Sequence, residues 1–233
     1  MISVVLPTYN ERDGIAELVE EVLAVGRAAR LPLEVLVVDD DSPDGTAAHV
    51  AEVFAHEPAV RVHVRRGERG LATAIRRGIG DARGDIIVLM DSDGNHDPAM
   101  LPLMVRCAEG FDIVIGSRYV MGGGMPYSAF RYWASYAFNV LIRIVLGLRI
   151  HDNLSGYFVF RRTLLTGLDA DRIFYGYGDY AIRFLHQVVR RGGRVLEIPT
   201  VYGLRKGGES KTRFFAYFWT YLASVFRLRL TGR

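Results

Sequence analysis

The strongest constraint on this chain is a set of apolar runs that do not alternate with polar residues. Residues 2–7, 33–38 and 86–90 are almost continuous in Val, Ile and Leu. A strand with one wet face alternates, whereas a strand covered on both faces does not. Val60–Val64 adds a further short strand. Between these runs lie helical patterns. Ile15, Leu18, Val19, Val22 and Leu23 share one helix face, with Asn10 placed to cap it. Residues 42–46 open a second helix, and 70–79 form a third. Strands and helices alternating in this way predict an α/β fold, a mostly parallel sheet with helices on both faces. Ligands of such sheets sit beyond the carboxyl ends of the strands. Here Asp39-Asp40-Asp41 follow one strand and Asp91-Ser-Asp93 follow another, so both acidic groups are expected at the same edge.

The second half is less regular. Residues 111–116, 158–160 and 195–201 read as strands and 180–191 as a helix. Two long aromatic segments, 127–150 and 214–230, are expected to be amphipathic helices. With 233 residues, half of them hydrophobic, the chain can bury one substantial core. Its one cysteine, Cys107, excludes a disulfide framework and a thiolate metal cluster and fits a reducing compartment. No secretory signal is apparent. The longest uncharged stretch of the C-terminal half, 214–226, has thirteen residues against about 20 for a membrane span, so the chain is expected not to cross a bilayer.

The net charge of +3 conceals two opposed halves. Residues 1–100 carry 10 basic and 18 acidic side chains; residues 101–233 carry 19 and 8. An acidic half can hold a cation and a basic half can face anions, which points to a phosphorylated substrate, an anionic surface or both. Nucleic acid would account for the basic half alone. Two carboxylates one residue apart at a strand end, with Asn95 nearby, can share a hard divalent cation; a capped turn is the plainer alternative. Three adjacent aspartates at 39–41 repel one another: either they form a solvated turn, or a ligand donor such as a nucleobase N–H or ribose hydroxyl relieves the repulsion, and the second acidic group at the same edge favours the ligand.

Seven segments follow in order: Val4-Val-Leu-Pro-Thr-Tyr-Asn-Glu11, Val37-Val-Asp-Asp-Asp-Ser-Pro-Asp-Gly-Thr46, Arg69-Gly-Leu-Ala-Thr-Ala74, Met90-Asp-Ser-Asp93, Gly116-Ser-Arg-Tyr119, Asp152-Asn-Leu-Ser-Gly156 and Gly208-Glu-Ser-Lys211. Each is weak singly. Together they resemble the inverting family 2 glycosyltransferases of GT-A fold, and within them the dolichol-phosphate and polyprenyl-phosphate mannose synthases. The resemblance runs to about residue 212. It implies a catalytic domain over 1–212 and a membrane-contact segment over 213–233.

The resemblance also implies roles. Pro7, Tyr9 and Glu11, with Asp39 and Asp40, would hold the base and ribose of a GDP- or UDP-linked sugar, Asp40 at the base. Arg69 and Gly70 would wrap the nucleotide. Asp91 and Asp93 would frame Mg²⁺ or Mn²⁺, with Asn95 as a third ligand. Arg118 would contact phosphate, and Arg205, Ser210 and Lys211 would belong to a late loop closing over donor diphosphate and acceptor phosphate. The implied reaction moves one sugar, mannose or glucose, to a polyprenyl phosphate. The implied enzyme is cytoplasmic and peripheral on the inner membrane face, with room for a separate membrane anchor or an oligomer and no part for nucleic acid.

A phosphomonoester has its second pKa near about 6, so it is nucleophilic at neutral pH without a general base. A sugar hydroxyl would need a carboxylate. The chain departs from the family pattern here: residues 176–183 keep Asp179 as their only carboxylate, and Asp41 replaces the usual glycine of its turn. Asp179 is open between a base for a hydroxyl acceptor, a donor-sugar contact and a helix N-cap. Two other readings therefore stand beside the first: transfer to a saccharide or glycolipid hydroxyl, and a non-catalytic module binding RNA or membrane. Aromatics beside arginines in 127–150 and 214–230 suit helices lying in lipid headgroups, with packing on the core or a dimer interface as the alternative.

Overall fold

All seven residues of β1 (Ile2–Thr8) are buried, because helices cover both faces of the strand. Val5 enters one core and Val4 and Leu6 the other. The computed structural model describes residues 1–204 and 214–232. After β1 come α1 (Arg12–Ala28), β2 (Leu33–Asp39), α2 (Thr46–Val53), β3 (Val60–Val64), α3 (Leu71–Asp81) and β4 (Ile86–Leu89). A 3₁₀ turn at Pro98–Met100 leads into α4 (Leu101–Cys107), then β5 (Ile113–Ser117), α5 (Ala129–Leu146) and β6 (Phe158–Arg161). The described chain continues with α6 (Ala170–Ile173), α7 (Tyr180–Arg190), β7 (Val195–Pro199) and α8 (Phe214–Thr231).

The seven strands form one sheet in the order β3-β2-β1-β4-β6-β5-β7. Every pairing is parallel except those of β6, which runs antiparallel to both β4 and β5. Two antiparallel steps restore direction, so β5 and β7 point the same way as β1, β2 and β4. Helices α3, α6 and α7 cover one face, while α1 and α4 cover the other. Gly78 lets α3 approach β1: a Cβ there would run into the Val5 side chain. The expected strands and helices are present within a few residues of their predicted ends, while α4 and α6 are short elements outside those expectations.

One expectation fails locally. Asn10 does not cap α1; its φ of 55° is left-handed, and Glu11 takes the cap position without a side-chain bond. The backbone N–H groups of Asn10 and Glu11 instead donate to Ser42 Oγ and Thr46 Oγ1, each at 3.0 Å. This ties the end of β1 to the turn after β2.

The two aromatic segments pack together. Phe138 and Ile142 of α5 meet Val225 and Leu228 of α8 and Ile182 of α7 in a third core. Other apolar residues of the same segments face outward: Tyr127, Phe130 and Trp133 are each at least 60% exposed, as is Trp219. Among the described residues, no helix is long and apolar enough to cross a membrane.

At the amino end of the sheet a buried carboxylate joins three segments. Glu34 accepts from Ser3 Oγ at 2.6 Å, Arg83 N at 2.6 Å and Arg61 Nη1 at 3.0 Å. Burial alone would raise its pKa, but these donors outweigh burial and hold it below the usual carboxylate range. A depressed folded-state pKa gives stability that is present above the unfolded pKa and lost as pH falls through the folded one. Glu34→Gln is therefore expected to cost about 2 kcal/mol at pH 7. In urea titrations its deficit against the wild type should shrink below about pH 4.

Candidate functional site

The parallel strands deliver their carboxyl ends to one edge, and a cavity of about 790 Å³ opens there. Pro7, Tyr9 and Glu11 reach it from the end of β1, Asp40 from β2, and Arg69 and Gly70 from the turn before α3. Asp91, Asp93 and Asn95 come from the loop after β4, and Arg118 from the end of β5. These ten residues, named from separate parts of the sequence, share one wall-to-wall space.

At the β1–β2 end, the Arg69 guanidinium lies over the Tyr9 ring, 4.8 Å from its centroid. Asp40 accepts from Arg65 Nε at 2.8 Å and from Gly70 N at 2.7 Å. Burial nevertheless outweighs these contacts and raises its pKa. Gly70 has φ 140°, a conformation that strains other residues, and this lets its N–H face Asp40. Asp41 has φ 55°, which explains why a glycine suits that position; aspartate is among the side chains that tolerate it.

The structure sets Asp39 apart. It is fully buried, and its carboxylate accepts from Thr8 Oγ1 (2.9 Å), Ser42 N (2.9 Å) and Ser42 Oγ (2.5 Å). It holds the turn and is not among the residues that line the cavity, so the structure does not bring it together with the other expected donor contacts. Asp179 is set apart likewise. It occupies the N-cap position of α7 without capping it, and its buried carboxylate pairs with Arg183 and accepts from Tyr177 N. Arg183, also buried, further donates to Ile173 O, Tyr175 O and Ser224 Oγ of α8. A carboxylate turned inward onto a guanidinium is not presented to the cavity as a base. Arg205, Ser210 and Lys211 lie outside the described residues.

The loop after β4 can hold a divalent cation. Asp93 accepts from Asn95 N (3.1 Å) and Asn95 Nδ2 (2.8 Å), which leaves the Asn95 carbonyl as a further oxygen. A Cβ on Gly156 would lie 2.7 Å from Asp91 Oδ1, so glycine there makes the space this carboxylate occupies. Two carboxylates and an amide oxygen suit a hard cation that draws its other ligands from phosphate and water. No group of three or more His, Cys, Asp or Glu among the described residues forms a complete cage.

Arg118 is 6% exposed and is held by Asp152 through Nε (2.8 Å), Nη2 (2.7 Å) and the backbone N–H (3.0 Å). Burial would lower its pKa, but Asp152 outweighs it, so the guanidinium stays charged. Asp152 is itself placed by Glu197 of β7, which accepts from Asp152 N (2.9 Å), His151 N (2.8 Å) and Ser117 Oγ (2.8 Å).

Sequence reasoning gave no site role to Arg131, Tyr177, Tyr180, Tyr202 and Gly156, all of which line the cavity. Burial raises the pKa of Tyr180 and Tyr202, so both keep their hydroxyl protons. Arg131 is one of the arginines of the aromatic segment 127–150, and nothing in the local pattern distinguishes it from Arg143.

Removing the Asp179 carboxylate should act on stability. Asp179→Ala leaves the Arg183 charge buried and unpaired, an expected loss of about 3–5 kcal/mol in urea unfolding. Unchanged stability with collapsed turnover would instead restore Asp179 as a base.

Residues 3–168 match the model of the Glycosyl transferase family 2. The chain is 36% identical over 233 residues to the dolichol-phosphate mannosyltransferase of Pyrococcus furiosus, covering 97% of this chain and 63% of that one, so it spans less than two thirds of this relative. It is 38% identical to the undecaprenyl-phosphate mannosyltransferase of Micrococcus luteus, covering 89% and 85%. Among solved structures, glucosyl-3-phosphoglycerate synthase from Mycobacterium tuberculosis with Mn²⁺, UDP and phosphoglyceric acid superposes with a TM-score of 0.75 at 23% identity, over 99% of this chain and 78% of that one. Mannosyl-3-phosphoglycerate synthase from Rubrobacter xylanophilus gives 0.70 at 24% identity, over 100% and 75%. The fold is thus of GT-A type, and the chain belongs to glycosyl transferase family 2.

Proposed function

We propose that this protein transfers one sugar, mannose or glucose, from a nucleotide sugar to a polyprenyl phosphate at a membrane surface, with inversion at the anomeric carbon. The observation that carries the reading is the division of charge within one cavity. Among the described residues, its carboxylates are Glu11, Asp40, Asp91 and Asp93, all on the β1, β2 and β4 loops together with one arginine, Arg69, while Arg118 and Arg131 lie on the β5–α5 side. The first group suits a nucleotide and a cation. The second suits an anionic acceptor and, among the described residues, offers no carboxylate to deprotonate a hydroxyl. The relatives named for dolichol-phosphate and undecaprenyl-phosphate mannosyl transfer support the same acceptor class.

In this reading Tyr9, Asp40, Arg69 and Gly70 seat the nucleoside. Asp91, Asp93 and Asn95 would hold Mg²⁺ or Mn²⁺, and the cation would supply charge stabilisation to the departing diphosphate. The Mn²⁺ in the neighbouring synthase complex supports a divalent ion. Arg118 and Arg131 orient the acceptor phosphate, one of whose oxygens attacks the anomeric carbon as the bond to the diphosphate breaks and its electron pair leaves with the nucleoside diphosphate. Arg205, Ser210 and Lys211 are assigned to the closing loop by the family resemblance. Membrane attachment through a peripheral surface is supported by the exposed aromatics Tyr127, Phe130 and Trp133, which flank Arg131 in sequence, Tyr127 and Arg131 themselves lining the cavity.

The test is nucleoside diphosphate release from GDP- and UDP-sugars with Mg²⁺ or Mn²⁺, with and without a short-chain polyprenyl phosphate. Release that requires the lipid phosphate, with labelled sugar entering the organic phase, is expected. Release driven by saccharides instead would favour a hydroxyl acceptor. Arg131→Ala is expected to raise the KM for polyprenyl phosphate about tenfold or more while leaving donor binding within about twofold, because a charge-assisted contact of about 1.5–3 kcal/mol is lost on the acceptor side alone.

A further inference from the structure

Asn153 belongs to the Asp152-Asn-Leu-Ser-Gly156 segment, yet the reaction as derived above draws on its neighbour Asp152 and not on Asn153. The Asn153 backbone N–H donates to Asn139 Oδ1 of α5 at 2.7 Å. Asn139 Nδ2 donates in turn to Ser135 O, one helical turn earlier, at 2.9 Å. Both partners are backbone groups of fixed polarity, so they settle which end of the amide is oxygen. Asn139 is 1% exposed and Asn153 is fully buried. The two other buried residues of α5, Phe138 and Ile142, are apolar. Asparagine is a weak helix former and its amide must give up water there, so packing alone would favour an apolar side chain. What the amide adds is a directional bond from α5 to a turn fourteen residues further on.

That turn leads to Arg118. Asp152, the residue before Asn153, holds the Arg118 backbone and guanidinium through three hydrogen bonds. In the other direction along α5, Ser135 and Arg131 follow at four-residue steps on the same helix stripe as Asn139, and both line the cavity. Tyr119, next to Arg118, also meets α5, its ring against Tyr132 and Tyr136 with centroids 5.1 and 5.5 Å away. Packed rings can slide over one another, whereas a 2.7 Å bond from a backbone N–H fixes the spacing. We propose that Asn139 is a positioning residue that sets Arg118 against Arg131, so that both guanidinium groups meet one acceptor phosphate. The inference rests on the acceptor reading of the proposed function.

The experiment measures the KM for a short-chain polyprenyl phosphate at saturating donor and cation. It compares the wild type with Asn139→Leu, Asn139→Ala, Arg131→Ala and the double variants that add Arg131→Ala to each. Thermal unfolding and nucleotide-sugar binding are followed alongside. Leucine matches the shape of asparagine and loses both polar atoms; alanine also gives up the volume. Positioning predicts an acceptor KM about tenfold higher for both Asn139 variants, whichever melts lower, with donor affinity within about twofold of the wild type. It also predicts double variants within about threefold of Arg131→Ala, because a phosphate held by Arg118 alone can follow wherever Arg118 settles. An acceptor KM that is unchanged or tracks melting temperature, or effects that multiply to about 100-fold in the double variants, overturns the role of Asn139 alone. Should one Asn139 variant not fold, the cycle is read from the other. Arg131→Ala with an unchanged acceptor KM, or a wild-type chain that gives no turnover with lipid phosphate, overturns the acceptor reading and this inference together.

Discussion

Strand direction is the constraint on which the site depends. β1, β2 and β4 are parallel neighbours, so their carboxyl ends place Tyr9, Asp40 and Asp91 at one edge. β6 runs against both β4 and β5, which returns β5 to the common direction and brings Arg118 to the same edge. Had β5 run the other way, the arginine would sit at the amino end of the sheet, away from the cavity. The division of charge between the two halves of the sequence becomes useful only because the sheet folds those halves onto one cavity.

Buried carboxylates then set the loops that this edge carries. Asp39 secures the turn after β2, Asp40 ties that turn to the start of α3, and Glu197 and Asp152 act in series on Arg118. Each group satisfies backbone N–H donors that would otherwise be unpaired on leaving water. The acidic excess of the first hundred residues is accordingly divided. Asp39 and Glu34 are structural, while Glu11, Asp40, Asp91 and Asp93 reach the cavity. The aromatic helices are divided in the same way, with Phe138 and Phe218 facing each other and Phe130 and Trp133 facing out.

The sheet itself was legible because non-alternating apolar runs have few other solutions. Val60–Val64 was found exactly, and the acidic loops were placed at the correct edge. Asn10 was misread because a capping side chain and a left-handed turn residue draw on the same amino-acid type. Asp179 was left open because its partner, Arg183, lies four residues ahead on a helix whose inward face could not be assigned without the neighbouring Ile173 carbonyl and Ser224. Arg131 and Arg143 share one amphipathic helix, and only the packing of α5 against α8 turns the first toward the cavity.

The sequence by itself determined the α/β class, the edge at which the site would lie, and the family, since these follow from local periodicity and ordered short motifs. The tertiary structure decided which carboxylates line the cavity and which are consumed by the fold, and which arginine of α5 reaches that cavity. Those outcomes depend on contacts between residues far apart in the chain, such as Asp152 with Arg118 and Asp40 with Gly70, and no local pattern encodes the direction in which a side chain will find its partner.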